Sequence, residues 1–201
     1  MPRTSERGGP KTRAKISQVA TRLFFERGFD AVTVAEVARE AGVSSVTVFK
    51  HFPRKEDLLL DRQVDAAEIL RSAVRDRAPG TDVPASLRDA TLRLLDDRHG
   101  LSGVADGSVP FFKTVAASPA LLARAREIAS DLQRLLTEEL ENDAAFEGDP
   151  ALLAAFFIAG YSTVLVEAAR RITGGEPPDD VADDHRERLE QLFKALRNGV
   201  A

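Results

Sequence analysis

The chain has 201 residues, 43% hydrophobic and 30% charged, which suits one large or two small globular domains with a packed core. It has no cysteine, which excludes disulfides, thiolate metal sites and cysteine nucleophiles. The net charge is −4, yet residues 1–55 hold 11 Lys/Arg against 5 Asp/Glu, so a basic front joins an acidic body.

Residues 1–9 show no periodicity and read as a mobile arm, followed by Lys11, Arg13 and Lys15. From Lys11 to Arg27 the apolar residues Ile16, Val19, Ala20, Leu23 and Phe24 fall at helical spacing. Gly28 stops that helix and Phe29 folds back onto it. Thr33 and Glu36 have the spacing of a capping box, Gly42 ends the second helix, and Ser44 caps a third that runs to about His51. Two short helices across the tight turn at Gly42, pressed closest at Ala38 and with small apolar contacts from Val34, Val37, Ala41, Val43 and Val48, have the pattern of a helix-turn-helix. Such a motif presents its second helix to the major groove of DNA.

Pro53 breaks the chain, and a long fourth helix is predicted from Arg54 to about Ala78, with Glu56 and Asp57 in its first turn. Helices follow over Val83–Asp97, Phe111–Ala117, Pro119–Glu141, Leu152–Ile172 and Asp183–Arg197. The Gly- and Ser-rich stretch from His99 to Pro110 reads as a loop or broken helix, Asp149 as a cap, and 174–180 as a linker. The expected fold is all-α with about nine helices, divided into a head at 10–55 and a body at 56–201. The segment 152–172 is apolar nearly all round and is expected to lie between helices or subunits. No apolar run is read as reaching the roughly 18 residues of a membrane helix. The N-terminus lacks the apolar core of a signal peptide, so a cytoplasmic location is expected.

The third helix, SSVTVFKHF, splits by face. Val43, Val48 and Phe52 are assigned inward, and Ser45, Val46, Thr47, Phe49, Lys50 and His51 outward. Hydroxyls, an imidazole, Lys50 and Lys55 suit phosphate contacts, and Val46 suits a thymine methyl. There is no Arg, Asn or Gln here for the strongest bidentate base contacts, so readout leans on few direct contacts and on DNA shape.

Residues 12–59 resemble the DNA-binding head of the TetR family of bacterial transcriptional regulators. The matching positions include Arg13, Ile16, Phe24, Gly28, Phe29, Thr33, Ala38, Gly42, Ser44, Thr47, His51, Phe52, Lys55 and Glu56. The resemblance implies that Ser45, Val46, Thr47, Lys50 and His51 contact DNA, that Lys55 clamps a phosphate, and that Thr33 touches the backbone. With the cap Ser44 and the ring of Phe49, these form the candidate DNA-binding set. Two residues depart from the family pattern: Phe49 stands where Tyr is usual, and Arg54 where a small cap is common.

The resemblance also implies a homodimer through the last two helices, a pseudo-palindromic double-stranded operator, and a small-molecule effector in the body. Candidate pocket residues are Leu94, His99, Phe111, Phe112, Leu122, Phe156, Phe157 and Tyr161, whose apolar character suits a hydrophobic effector. The expected protein is a ligand-responsive regulator, most simply a repressor. The rival is a small-molecule binding protein without a DNA role. With three histidines and no catalytic motif, no enzyme, cofactor or metal site is expected; DDVADDH at 179–185 reads as a cap and linker.

Overall fold

The computed structural model describes residues 9–198; of the predicted arm at 1–9, residues 1–8 lie outside them. Among the described residues the fold is all-α, with nine α-helices, two short 3-10 turns and no strand. The helices are α1 (Pro10–Arg27), α2 (Val34–Ala41), α3 (Ser45–His51), α4 (Gln63–Arg75), α5 (Val83–Asp96), α6 (Ser108–Ala116), α7 (Pro119–Glu141), α8 (Pro150–Thr173) and α9 (Pro178–Asn198). They form two compact units. One holds the chain up to Asp61 together with Lys113–Ala125; the other holds Arg62–Phe112 and the chain from Arg126.

In the first unit, Ile16, Ala20 and Phe24 of α1 are fully buried, as are Val37 and Leu58, with Ala38, Val48 and Phe52 nearly so. Removing a side chain such as Phe52 from such a site costs about 3–5 kcal/mol. Phe29 returns to Phe24 with ring centroids 5.0 Å apart, as its place after Gly28 predicts. The predicted long helix from Arg54 is not formed. A 3-10 turn occupies Glu56–Leu58, and α4 begins at Gln63. Tertiary contacts explain the delay. Leu58 and Leu59 are adjacent yet both buried, and Asp61 accepts Arg13 on its carbonyl at 3.1 Å and the Ser17 hydroxyl on its carboxylate at 2.6 Å.

Residues 113–125 complete this unit. Ser118, 1% exposed, donates to Asp30 at 3.2 Å, and Arg124 donates to Asp57 at 2.8 Å.

The second unit packs α8 along α9, and α5 against α4 and α9. Leu70, Val74, Leu87, Leu136, Phe157 and Phe193 form one apolar core; Leu92, Leu95, Phe112, Val164, Ile172 and Leu189 form another. A Cβ at Gly160 of α8 would meet the end of the Leu192 side chain of α9, which would have to shift. Glu139 is buried and takes a two-pronged contact from Arg75 at 2.5 and 2.7 Å.

Two further boundaries differ from the sequence reading. α6 starts at Ser108, because Pro110 falls within a first turn that has no need of its N–H. α9 starts at Pro178, because proline is well suited to the first helical position and Asp179 and Asp180 complement the dipole there. The exclusion of a membrane-length run is also corrected. α8 contains an 18-residue window of mean hydropathy 1.8, long and apolar enough to cross a bilayer by length and composition. A helix buried between elements meets the same criterion. Only 28% of that window is buried within the chain, and Leu152, Phe156 and Val166 stand 52, 45 and 60% exposed.

Candidate nucleic-acid interface

Local chemistry sets the geometry of α2 and α3. The Thr33 hydroxyl accepts the Glu36 amide at 3.2 Å, while the Glu36 carboxylate accepts the Thr33 amide and hydroxyl, each at 2.8 Å. This is the reciprocal capping box, and Arg27 adds a 2.9 Å ion pair. The Thr33 amide, then Arg27, then the Thr33 hydroxyl hold the Glu36 carboxyl down at about 2. Gly42 has φ +69°, where a side chain is strained. Its N–H reaches Arg39 O at 3.1 Å and the Val43 N–H reaches Ala38 O at 2.9 Å. These two bonds form a Schellman motif, which fixes the turn from α2 into α3. Ala38, 2% exposed, provides the close packing point.

Ser44 then starts α3 by accepting the Thr47 amide at 3.1 Å, and its hydroxyl also meets the Thr47 hydroxyl at 2.9 Å. Val48 and Phe52 turn inward, and Val43 is half-buried. On the other side Val46 is 76% and Phe49 50% exposed, with Lys50 exposed and Ser45 half-buried. His51 is half-buried, its ring centroid 6.5 Å from that of Phe52.

Two basic residues are more engaged than the sequence suggests. Arg13 stacks its guanidinium 4.6 Å from the Phe52 centroid while binding Asp61. Lys55 places Nζ 2.6 Å from Phe29 O and 4.2 Å from the Phe29 ring centroid. Burial lowers the Lys55 ammonium below its usual range, with Asp30, Glu56 and Glu36 opposing. The cap at Arg54 comes from elsewhere: its amide donates to Asp57 Oδ2 at 3.2 Å. Asp57, and with it the α7 residue Arg124, are supports of this surface that sequence reasoning missed. No local pattern marks a contact between residues 67 positions apart.

A family model described as "Bacterial regulatory proteins, tetR family" matches residues 16–61, the stretch that builds this surface. Over residues 16–61 the chain is thus similar to the TetR family. It is 35% identical over 105 residues to the HTH-type transcriptional regulator YdeS of Bacillus subtilis (strain 168), a match covering 48% of this chain and 50% of YdeS. The match thus spans half the length of that relative. Among solved structures, the SmeT–triclosan complex superposes with TM-score 0.62 at 19% identity, covering 92% of this chain and 91% of that one. Thermus thermophilus FadR in complex with lauroyl-CoA gives TM-score 0.55 at 25% identity, covering 94% and 95%. The all-α fold is therefore the TetR-family fold along nearly the whole chain.

The eight candidate pocket residues are divided between the two units. Leu122 belongs to the first unit and is 36% exposed, and the other seven belong to the second. Phe112 joins one core of that unit, with Phe111 and Tyr161 packed against it, and Phe157 joins the other. Phe157 stacks on Tyr161 with centroids 6.0 Å apart. The Tyr161 hydroxyl donates to Leu101 O at 2.6 Å, and burial raises its pKa. His99 accepts the Leu101 amide and lies 3.3 Å from Arg62 Nη1. Leu94 is half-buried on α5, and Phe156 points outward. Two surface hollows of about 600 and 270 Å³, one beside Arg77 and Phe146 and one beside Val166 and Arg188, include none of the eight.

Proposed function

We propose that this chain is a ligand-responsive transcriptional regulator of the TetR family that binds a pseudo-palindromic DNA operator as a homodimer, repressing by occupying the operator. One observation carries the reading: a capped α2 and a Schellman turn hold α3 with Val46, Phe49 and Lys50 displayed on one exposed face. The excess of 11 Lys/Arg over 5 Asp/Glu in residues 1–55 supplies attraction for phosphates. Contacts are assigned to Thr33, Ser44, Ser45, Val46, Thr47, Phe49, Lys50, His51 and Lys55. Of these, Thr33 and Ser44 act mainly by holding helix ends, and Lys55 also supports the Phe29 loop.

Dimerisation is assigned to α8 and α9. The exposed Leu152, Phe156 and Val166 support this, because a helix so apolar is stable in water only when its face is covered. Two-fold symmetry then matches half-sites ~34–36 Å apart or a multiple of this. The effector is assigned to the second unit as a hydrophobic small molecule, in keeping with triclosan and lauroyl-CoA in the two solved relatives. Ligand binding there acts through α4, which follows the head directly in the chain, by favouring one of two head spacings. Such a regulator works in the cytoplasm.

Selection of duplexes from a random pool by the purified protein at low salt tests the proposal. An enriched inverted repeat supports it. No enrichment by an intact dimer overturns it and leaves a binding protein without a DNA role.

A further inference from the structure

The two hydroxyls that open α3 are already paired. The Ser44 and Thr47 hydroxyls meet each other at 2.9 Å, and Ser44 also holds the Thr47 amide. His51 Nε2 is buried with no hydrogen-bond partner among the described residues. Ser45 and Lys50 are the remaining polar side chains of the helix. Beside them stand Val46 and Phe49, more exposed than any other large apolar side chain described in the first unit. They are three positions apart, and Lys50 is four beyond Val46, so all three share one stripe of the helix. Side chains of this size are normally drawn into a core, and here they are held out by a helix whose inner face, Val48 and Phe52, is already filled.

We propose that Val46 and Phe49 read thymine 5-methyl groups, so that each operator half-site is specified chiefly by methyl contacts rather than by bidentate hydrogen bonds. The inference rests on the DNA-binding reading above. The thymine methyl is the apolar feature that base edges present in the major groove, and an apolar pair has no other base-edge partner there. The cation of Lys50 on the same stripe, within a basic head, favours DNA over an apolar protein surface as the occupant. Lys50 then supplies the polar contact that fixes register beside the methyl pair.

The test uses the full-length protein and a duplex enriched by selection. Each thymine is replaced singly by deoxyuridine, which deletes the methyl and leaves every hydrogen-bonding group in place. Binding is read by fluorescence anisotropy. Loss of a methyl under Val46 or Phe49 is expected to weaken binding about fourfold per site. Val46→Ala and Phe49→Ala, both at exposed positions, should each bind the thymine duplex more weakly and lose discrimination at one specific step. Thermal melting of both variants checks that the head remains folded. Equal affinity for thymine and deoxyuridine duplexes at every position overturns the inference while leaving DNA binding intact. Absence of binding to any duplex instead overturns the reading on which it rests.

Discussion

The ammonium of Lys55 sits 2.6 Å from the carbonyl oxygen of Phe29, on a ring that itself packs 5.0 Å from Phe24. A residue expected at the DNA surface is thus also a brace for the loop that carries the chain from α1 to α2. Lys55→Ala should lower the stability of the head by about 1–3 kcal/mol through loss of this charged hydrogen bond. It should also weaken binding to all DNA sequences without changing their order. Chemical denaturation and competition binding read the two effects. An unchanged midpoint would remove the brace, and an unchanged affinity the phosphate role.

Glu36 ties acid stability to the cap of α2. Its carboxyl is held at about 2 against a usual 4.5, so the unfolded chain binds more protons between these values. The stabilisation is full above 4.5 and is lost as pH falls toward 2. Glu36→Gln should flatten the pH dependence of stability in that window, measured by thermal melting. A profile with the same slope as the parent would show that the cap does not depend on the charge.

His185 acts in the same direction in the second unit, at a higher pH. It is 2% exposed on α9, and burial pushes its imidazole below the usual 6.5, with the Ser102 backbone opposing and Arg188 adding to the shift. The unfolded chain therefore takes up a proton first, and stability is lost as pH falls from 6.5 toward the folded value. His185→Leu should remove this loss. Denaturation midpoints that fall equally in both proteins between neutral and mildly acid pH would contradict the prediction.

Val166 tests the interface assignment. At 60% exposed on α8 it contributes little to the protomer, so Val166→Glu should leave the helical content and monomer fold unchanged. It should place a charge in the covered face and shift the protein toward monomer in sedimentation. A dimer that survives at the same concentration would move the interface away from this part of α8.

What was legible in the sequence was what is local. Thr33 with Glu36, Gly42, Ser44 and Asp149 act within a few residues of themselves, and each occupies the capping role that its neighbours imply. The start of α4 was not legible, because Leu58, Leu59 and Asp61 answer to α1 and to the core rather than to helical spacing. The start of α9 was misplaced because Pro177 and Pro178 read as breakers, although a proline is at home in a first turn. Residues 113–125 belong with the head through Ser118 and Arg124, side chains whose partners lie 88 and 67 positions away. Pocket residues were the least legible, since Phe112 or Phe157 has the same signature whether it lines a cavity or fills a core.

The central claim is that the exposed face of α3 binds DNA specifically, and the affinity of the intact dimer for its selected duplex across a salt series tests it most directly. The account predicts that log affinity falls linearly with log salt, and that the selected duplex outcompetes a scrambled one by on the order of 1,000-fold. Equal, salt-insensitive affinity for both duplexes would contradict it.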